Sequence, residues 1–182
     1  MPVLTTNQLG LLAEAAITYE CATRAIGVSR PLDDERYDLI IDLRPLLYRV
    51  QCKLARRRGD VVVCRLYTTR RGWDGLINRR YEPGEFDLFG IYCHEIRQCF
   101  LLPADDFVGF RQVHLRVAPS RNNQELGVRW AREYEFGATI ERLYGPIAQL
   151  GERLDGIQKV AGSSPAGSIG KPPSGRLSLF EV

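Results

Sequence analysis

The chain has 182 residues, of which 45% are hydrophobic and 26% charged, values that are typical of a globular protein with one well-packed core. Its net charge of +3 is too small to indicate a partner by itself. No apolar run approaches the roughly 18 residues that a membrane span needs, and the first residues lack the pattern of a secretory signal. We therefore expect a cytoplasmic protein that makes no membrane contact.

The first part of the chain predicts one helix followed by three strands. Apolar residues recur at helical spacing from Thr5 to Ile26, with Thr6 or Asn7 as the N-cap and Gly27 at the end. Short turns then separate three apolar stretches, which span residues 37–43, 46–54 and 61–67. Strands that follow each other so closely pair antiparallel, and we expect this meander to pack on the helix.

The later part of the chain predicts fewer regular elements. Residues 68–84 have the composition of a loop, residues 87–92 and 99–102 that of a hairpin, and residues 124–136 the apolar spacing of a second helix. A short strand is expected near residues 115–117. After Tyr144 the chain is rich in Gly, Ser and Pro, so we expect a domain over residues 1–144 and a disordered low-complexity tail over residues 145–182.

Positive charge is concentrated in one segment of the chain. Residues 53–80 hold nine Lys or Arg against two Asp, a net charge of +7, so that the rest of the chain carries −4. Such a segment indicates contact with a polyanion, and arginine suits both phosphate oxygens and guanine edges. A merely solvated face is the alternative.

A lysine and a glutamine share one face of the second predicted strand. Side chains alternate along a strand, so Gln51 and Lys53 point the same way. Because a buried unpaired charge is costly, Lys53 should face a carboxylate. Asp38 on the preceding strand is the first candidate and Asp42 lies nearer the turn, while Glu14 on the helix could also reach this face. The set is either a site for a hard cation or a buried ion pair on an ordinary sheet.

An ordered set of motifs in these segments resembles the PD-(D/E)XK nuclease family. The string Tyr37-Asp38-Leu-Ile, followed by Leu47-Tyr48-Arg49-Val50-Gln51-Cys52-Lys53, is similar to its signature. The Gln in place of an acidic residue resembles the branch found in group I intron homing endonucleases of bacteria. Further similarities, over about residues 5–136, lie at residues 10–14, 86–92, 101–103 and 122–124.

The resemblance implies an α/β fold with a restriction-endonuclease-like core, in which helices flank a mixed central sheet. It also implies hydrolysis of DNA with Mg²⁺ as the cofactor. Residue by residue, Asp38, Glu14 and Gln51 match the metal-binding positions and Lys53 the catalytic lysine, so these four form the expected catalytic set. The Cys52 carbonyl is a further candidate to face the metal.

Two features of this set depart from what the motif would favour. Tyr37 stands where the motif name has proline, a position that varies among such nucleases. Gln51 is a neutral ligand, so the metal should be held more weakly unless Glu14 compensates.

Glu20 is a poorer alternative to Glu14, because it lies one and a half turns further along the helix. A zinc site at Cys93, His94 and Cys99 would lack a fourth ligand.

The basic segment supplies the expected contacts with double-stranded DNA. Trp73 and Tyr81 lie among the arginines and would either stack on bases or pack a loop, and we favour DNA contact. Family members act as homo-oligomers, which we also expect here. The expected DNA-binding residues are Arg56, Arg57, Arg58, Arg70, Arg71, Arg79, Arg80 and Trp73.

The expected function is that of a sequence-specific, magnesium-dependent DNA endonuclease of the homing type. The first alternative is an inactive nuclease-fold protein that only binds DNA. The second is a structure-specific nuclease that resembles a junction resolvase. Fold alone does not separate these three functions, since function depends on the site.

Two strings in the tail resemble a transfer-RNA gene that is read as codons. Residues 148–153 are similar to its D-arm and residues 162–165 to its T-arm, and the eight residues between them match the spacing of those arms. Our hypothesis is that the reading frame runs into a downstream transfer-RNA gene. An ordinary disordered linker is the alternative.

Overall fold

The computed structural model describes residues 4–119 and 125–145, without the side chains of residues 70 and 71. The last element of the described chain is a second helix, named α2, over residues 136–145. The other elements are α1 (Thr6–Ala22), β1 (Gly27–Ser29), β2 (Leu39–Leu43), β3 (Leu46–Arg58), β4 (Val61–Arg65), β5 (Tyr67–Gly72), β6 (Gly75–Arg80), β7 (Leu88–Cys93), β8 (Gln98–Pro103) and β9 (Gln112–Arg116).

The long strand β3 organises a seven-stranded mixed sheet. Its first half pairs antiparallel with β2, its middle pairs parallel with β7, and its last three residues pair antiparallel with β4. The strand β1 continues the sheet beyond β2, β9 beyond β4 and β8 beyond β7. The expected meander β2–β3–β4 and the hairpin β7–β8 are therefore confirmed, and so is the α/β class with a mixed central sheet.

Helix α1 begins one residue later than the start of the predicted stretch and ends four residues before its end. Thr5 is the N-cap, and it forms a reciprocal capping box with Gln8. The helix ends at Ala22 because the Ile26 N–H turns back to the Cys21 carbonyl at 3.0 Å, with Ala25 in the left-handed region at φ 55°. A non-glycine residue in this position carries no sequence signal, and the nearby Gly27 begins β1 instead.

The two faces of the sheet pack in two apolar clusters. One cluster joins α1 and α2 to the sheet, through residues such as Ile17, Val50 and Phe136. The other covers the opposite face with residues from the β4, β7, β8 and β9 strands and the loops between them. Gln51 and Lys53 are paired with Phe89 and Ile91 of this second cluster, so they point away from α1.

Three expected elements differ in the structure. Residues 67–80 are not a loop but an antiparallel hairpin of β5 and β6, and β3 continues through Arg58 rather than turning at Arg56. Within residues 125–135 the expected second helix is wrong: the chain is extended at Trp130 and forms a 3₁₀ turn over Ala131–Tyr134. A hydrogen bond to strand β9 holds this segment extended, since the Arg116 N–H donates to the Arg129 carbonyl at 2.8 Å.

Two further observations concern the cysteines and the helices. All five cysteines are buried with free thiols. Among the described residues, no helix combines the length and apolar character that crossing a membrane requires. The expected tail at residues 146–182 and the motif at residues 122–124 lie outside the described residues.

Candidate active site

Asp38 is fixed to β3 by hydrogen bonds from both its backbone and its side chain. Its N–H donates to the Val50 carbonyl at 2.9 Å, immediately before β2 begins. Its Oδ2 accepts from the Cys52 N–H at 2.7 Å and from the Gln51 side-chain amide. The pairing of β2 with β3 therefore brings Asp38 and Gln51 together as the sequence predicts.

Glu14 approaches Asp38 from helix α1. Its carboxylate is mostly buried and forms an ion pair with Arg30 at 3.0 Å. Both carboxylates line one cleft of ≈ 160 Å³ together with Arg30 and an acidic loop over residues 33–35. Arg30, which directly follows β1, is a residue of this site that the sequence analysis missed.

Burial and mutual repulsion make the two carboxyl groups resist ionisation. Burial raises the pKa of Glu14, the charge of Asp38 raises it further, and Arg30 lowers it in part. Burial also raises the pKa of Asp38, against the opposing effects of the Cys52 N–H, Lys53, Arg30 and Gln51. A cation between the two carboxylates would relieve this repulsion.

The oxygen atoms at this cleft fit a hard divalent cation such as Mg²⁺. The carboxylates of Glu14 and Asp38 both line the cleft. Gln51 lies beside Asp38, and its amide nitrogen donates to the Asp38 carboxylate and to the Cys52 carbonyl. Over residues 4–119 and 125–145 no three His, Cys, Asp or Glu side chains cluster in a way that could hold a metal ion, at Cys93 and Cys99 or elsewhere. A cation here would thus depend on Gln51 or the backbone for its third protein ligand.

Lys53 does not line this cleft, but its charge interacts with that of Asp38. Burial lowers the pKa of Lys53, whereas Cys64 and Asp38 raise it and Arg36 lowers it further. Its Nζ lies 5.1 Å from the centre of the Tyr81 ring. Glu14, Gln51 and Lys53 therefore each lie near Asp38, but Gln51 and Lys53 are on the sheet face opposite the helix that carries Glu14.

The other acidic candidates do not join this group. Asp42 accepts from the Arg44 side chain at 3.4 Å at the turn between β2 and β3. Glu20 forms an ion pair with Arg24, which lies just beyond the end of α1. Each therefore serves a local contact away from Asp38.

The described arginines among the expected DNA-binding residues lie at the surface, but the ring of Tyr81 does not. The side chains of Arg56, Arg57 and Arg58 are exposed at the end of β3, and those of Arg79 and Arg80 are exposed on β6. Trp73 is fully exposed at the turn of the β5–β6 hairpin, whereas Tyr81 is only 3% exposed. The prediction that Tyr81 contacts DNA is wrong, because its ring belongs to the core. Arg70 and Arg71 lie on β5, and their side chains are outside the described part of the chain.

Comparisons with known proteins identify both a family and a fold. The model of a family described as "PD-(D/E)XK endonuclease" matches residues 4–137. No curated protein matches the chain. The solved structure of a bacterial homing endonuclease, I-Ssp6803I, is similar with a TM-score of 0.61 and 22% sequence identity, over 82% of this chain and 97% of that chain. The restriction-endonuclease-like fold is therefore shared between the two proteins.

Proposed function

The chain belongs to the PD-(D/E)XK endonuclease family, and we propose that it is a sequence-specific, magnesium-dependent endonuclease of the homing type that hydrolyses double-stranded DNA. The observation that carries this proposal is the position of Asp38, bonded to Gln51 and Cys52 and facing both Glu14 and Lys53. The similar homing endonuclease supports the same activity by analogy.

We propose a separate role in phosphodiester hydrolysis for each residue around Asp38. Glu14, Asp38 and Gln51 would hold Mg²⁺, which supplies positive charge to the attacked phosphate and acidifies bound water. Lys53 orients the attacking water, because its ammonium donates hydrogen bonds while the charge of Asp38 attracts it. Arg30 balances the charge of Glu14.

The basic surface would hold the DNA against this cleft. Arg56, Arg57 and Arg58 extend from the same strand that carries Gln51 and Lys53. The β5–β6 hairpin adds the arginines at positions 70, 71, 79 and 80 and the exposed Trp73. A phosphate backbone bound by these cations would run beside β3 toward the carboxylates.

Several broader features belong to the same proposal. The protein would act in the cytoplasm as a homo-oligomer, because a small subunit reads a long site more easily with symmetry. The nuclease domain would cover residues 1–144. The rest of the chain would lie outside that domain, and part of its amino-acid sequence resembles a translated transfer-RNA gene. The proposed membership of the group I intron branch is supported only by the resemblance that Gln51 carries.

A cleavage assay tests this proposal directly. A plasmid that carries the intron-free host locus should be cut with Mg²⁺ and remain intact with a chelator, and a four-way junction of unrelated sequence should remain intact in both. Binding without cleavage, with either Mg²⁺ or Mn²⁺, would make the protein an inactive DNA-binding module. Cleavage of the junction regardless of sequence would make it a structure-specific nuclease.

A further inference from the structure

Tyr81 carries two cations on its ring at the edge of the proposed active site. The Lys53 Nζ lies 5.1 Å from the ring centre and the Arg36 guanidinium carbon 4.8 Å from it. The ring is almost completely buried, and its hydroxyl has no hydrogen-bond partner among the described residues. A buried hydroxyl without a partner destabilises a fold, so the feature of Tyr81 that matters here is the face of its ring.

The Tyr81 ring has little freedom to move. It packs edge-on against Phe86 and Phe89, with centroid distances of 4.9 and 5.5 Å. Interlocked aromatic rings in a close-packed core hold one orientation. The ring is therefore a fixed surface for the two cations.

Arg36 is held as firmly as the ring. Its guanidinium forms two parallel hydrogen bonds with Glu85, at 3.0 and 3.1 Å, and both side chains are mostly buried. Glu85 in turn accepts from the Glu82 N–H at 3.1 Å and pairs with Arg79 of β6 at 2.9 Å. A bidentate pair that is anchored on both sides fixes the guanidinium in space.

Lys53 is the mobile member of this group, because a flexible four-carbon stem carries its ammonium. The ring attracts the ammonium, while Arg36 on the same ring repels it. The charge of Asp38 attracts it toward the cleft. These three interactions favour a position of the ammonium between the ring and Asp38.

We propose that Tyr81 and Arg36 are positioning residues, which place the Lys53 ammonium against Asp38 for the attack of water. This inference rests on the proposed nuclease function for the role of Lys53, but the position of Lys53 itself is a separate observable. Both residues act through Lys53 and need not touch DNA. The effect should therefore appear in kcat and not in the KM for DNA.

The kinetic test compares two buried aromatic residues of the same core. Tyr81→Leu should lower kcat by roughly tenfold or more with KM within about twofold, and Tyr81→Phe should restore most of the lost kcat because it keeps the ring. Phe107→Leu is the matched control, since Phe107 is equally buried and has Arg129, rather than Lys53, 5.5 Å from its ring centre. An equal loss of kcat in Phe107→Leu would reduce the effect to packing and overturn the proposal.

A second variant tests the proposal if Tyr81→Leu does not fold, and an NMR measurement tests it if the parent protein does not cleave DNA. If Tyr81→Leu does not fold, Arg36→Gln should lower kcat in the same way, while Glu85 keeps Arg79 as its partner. An unchanged kcat contradicts the proposal. NMR of the Lys53 methylene protons next to Nζ reports position without cleavage. Their ring-current shift should be present in the parent and in Tyr81→Phe and absent in Tyr81→Leu, and a shift that is missing in the parent overturns the proposal even if DNA is cleaved.

Discussion

Gln51 lets Asp38 lie in a buried position without a third negative charge beside it. Its amide donates to the Asp38 carboxylate, which also accepts from the Cys52 N–H. Burial already raises the pKa of Asp38, and Glu14 and Asp38 repel each other. A neutral donor at position 51 therefore stabilises the protein in the absence of a cation, at some cost in metal affinity.

The substitution Gln51→Glu should reverse this balance. Without Mg²⁺ it replaces a hydrogen bond with repulsion and should lower the free energy of unfolding by about 2 kcal/mol at neutral pH. The loss should shrink as the pH falls, because protonation at a raised pKa removes the repulsion. With Mg²⁺ the variant should regain more stability than the parent. Thermal melts with and without Mg²⁺ measure both effects, and an equal response of the two proteins would argue against a cation at Gln51.

The candidate site divides into residues that local rules predict and residues that they do not. Asp38, Gln51 and Lys53 follow from strand alternation and the pairing of two neighbouring strands. Arg36 and Arg30 act through partners that only the folded chain brings near, such as Glu85, which is 49 residues away from Arg36. No periodicity in the sequence records such contacts.

At the scale of elements, the β5–β6 hairpin differs most from expectation. All six residues of β6 are exposed, and its sequence, Gly-Leu-Ile-Asn-Arg-Arg, does not alternate apolar with polar residues. Gly72 pairs with Gly75 across a two-residue turn, which leaves Trp73 at the tip. A two-stranded ribbon that carries arginines and has one fully exposed strand suits a groove of DNA better than a protein core.

The salt dependence of DNA binding tests the arginines at the ends of these strands. Replacing Arg56, Arg58 and Arg80 with Ala should reduce the slope of log K against log salt by about three, one for each phosphate that the variant no longer neutralises. Arg44→Ala is the control, because Arg44 is exposed but lies at the opposite end of β3. Fluorescence anisotropy over a salt series measures the slopes. If the slope of the triple variant equals that of the parent, these arginines are solvated side chains that do not contact phosphates.

At the scale of the whole molecule, the sequence predicts the antiparallel parts of the sheet better than its parallel part. Strands β2, β3 and β4 are neighbours along the chain, and short turns determine how they pair. Strand β7 pairs with β3 only after the chain has formed β4 and the β5–β6 hairpin. That crossover turns the meander into a mixed sheet and places Phe89 and Ile91 beside Gln51 and Lys53.

Asp38 is the residue on which the proposed metal-dependent nuclease site depends most, and one comparison of variants tests its role directly. Asp38→Asn keeps the shape of the side chain and can still accept from the Cys52 N–H, so the fold should persist while metal-supported catalysis is lost. Asp42→Asn is the matched control four residues further along, since its carboxylate pairs locally with Arg44.

The measurement is cleavage of the host-locus plasmid with Mg²⁺, together with DNA affinity measured without Mg²⁺. We expect Asp38→Asn to lose at least roughly a hundredfold in cleavage while its DNA affinity stays near that of the parent, and Asp42→Asn to retain both properties. Cleavage by Asp38→Asn at the parent rate would contradict the assignment of this cleft as the active site.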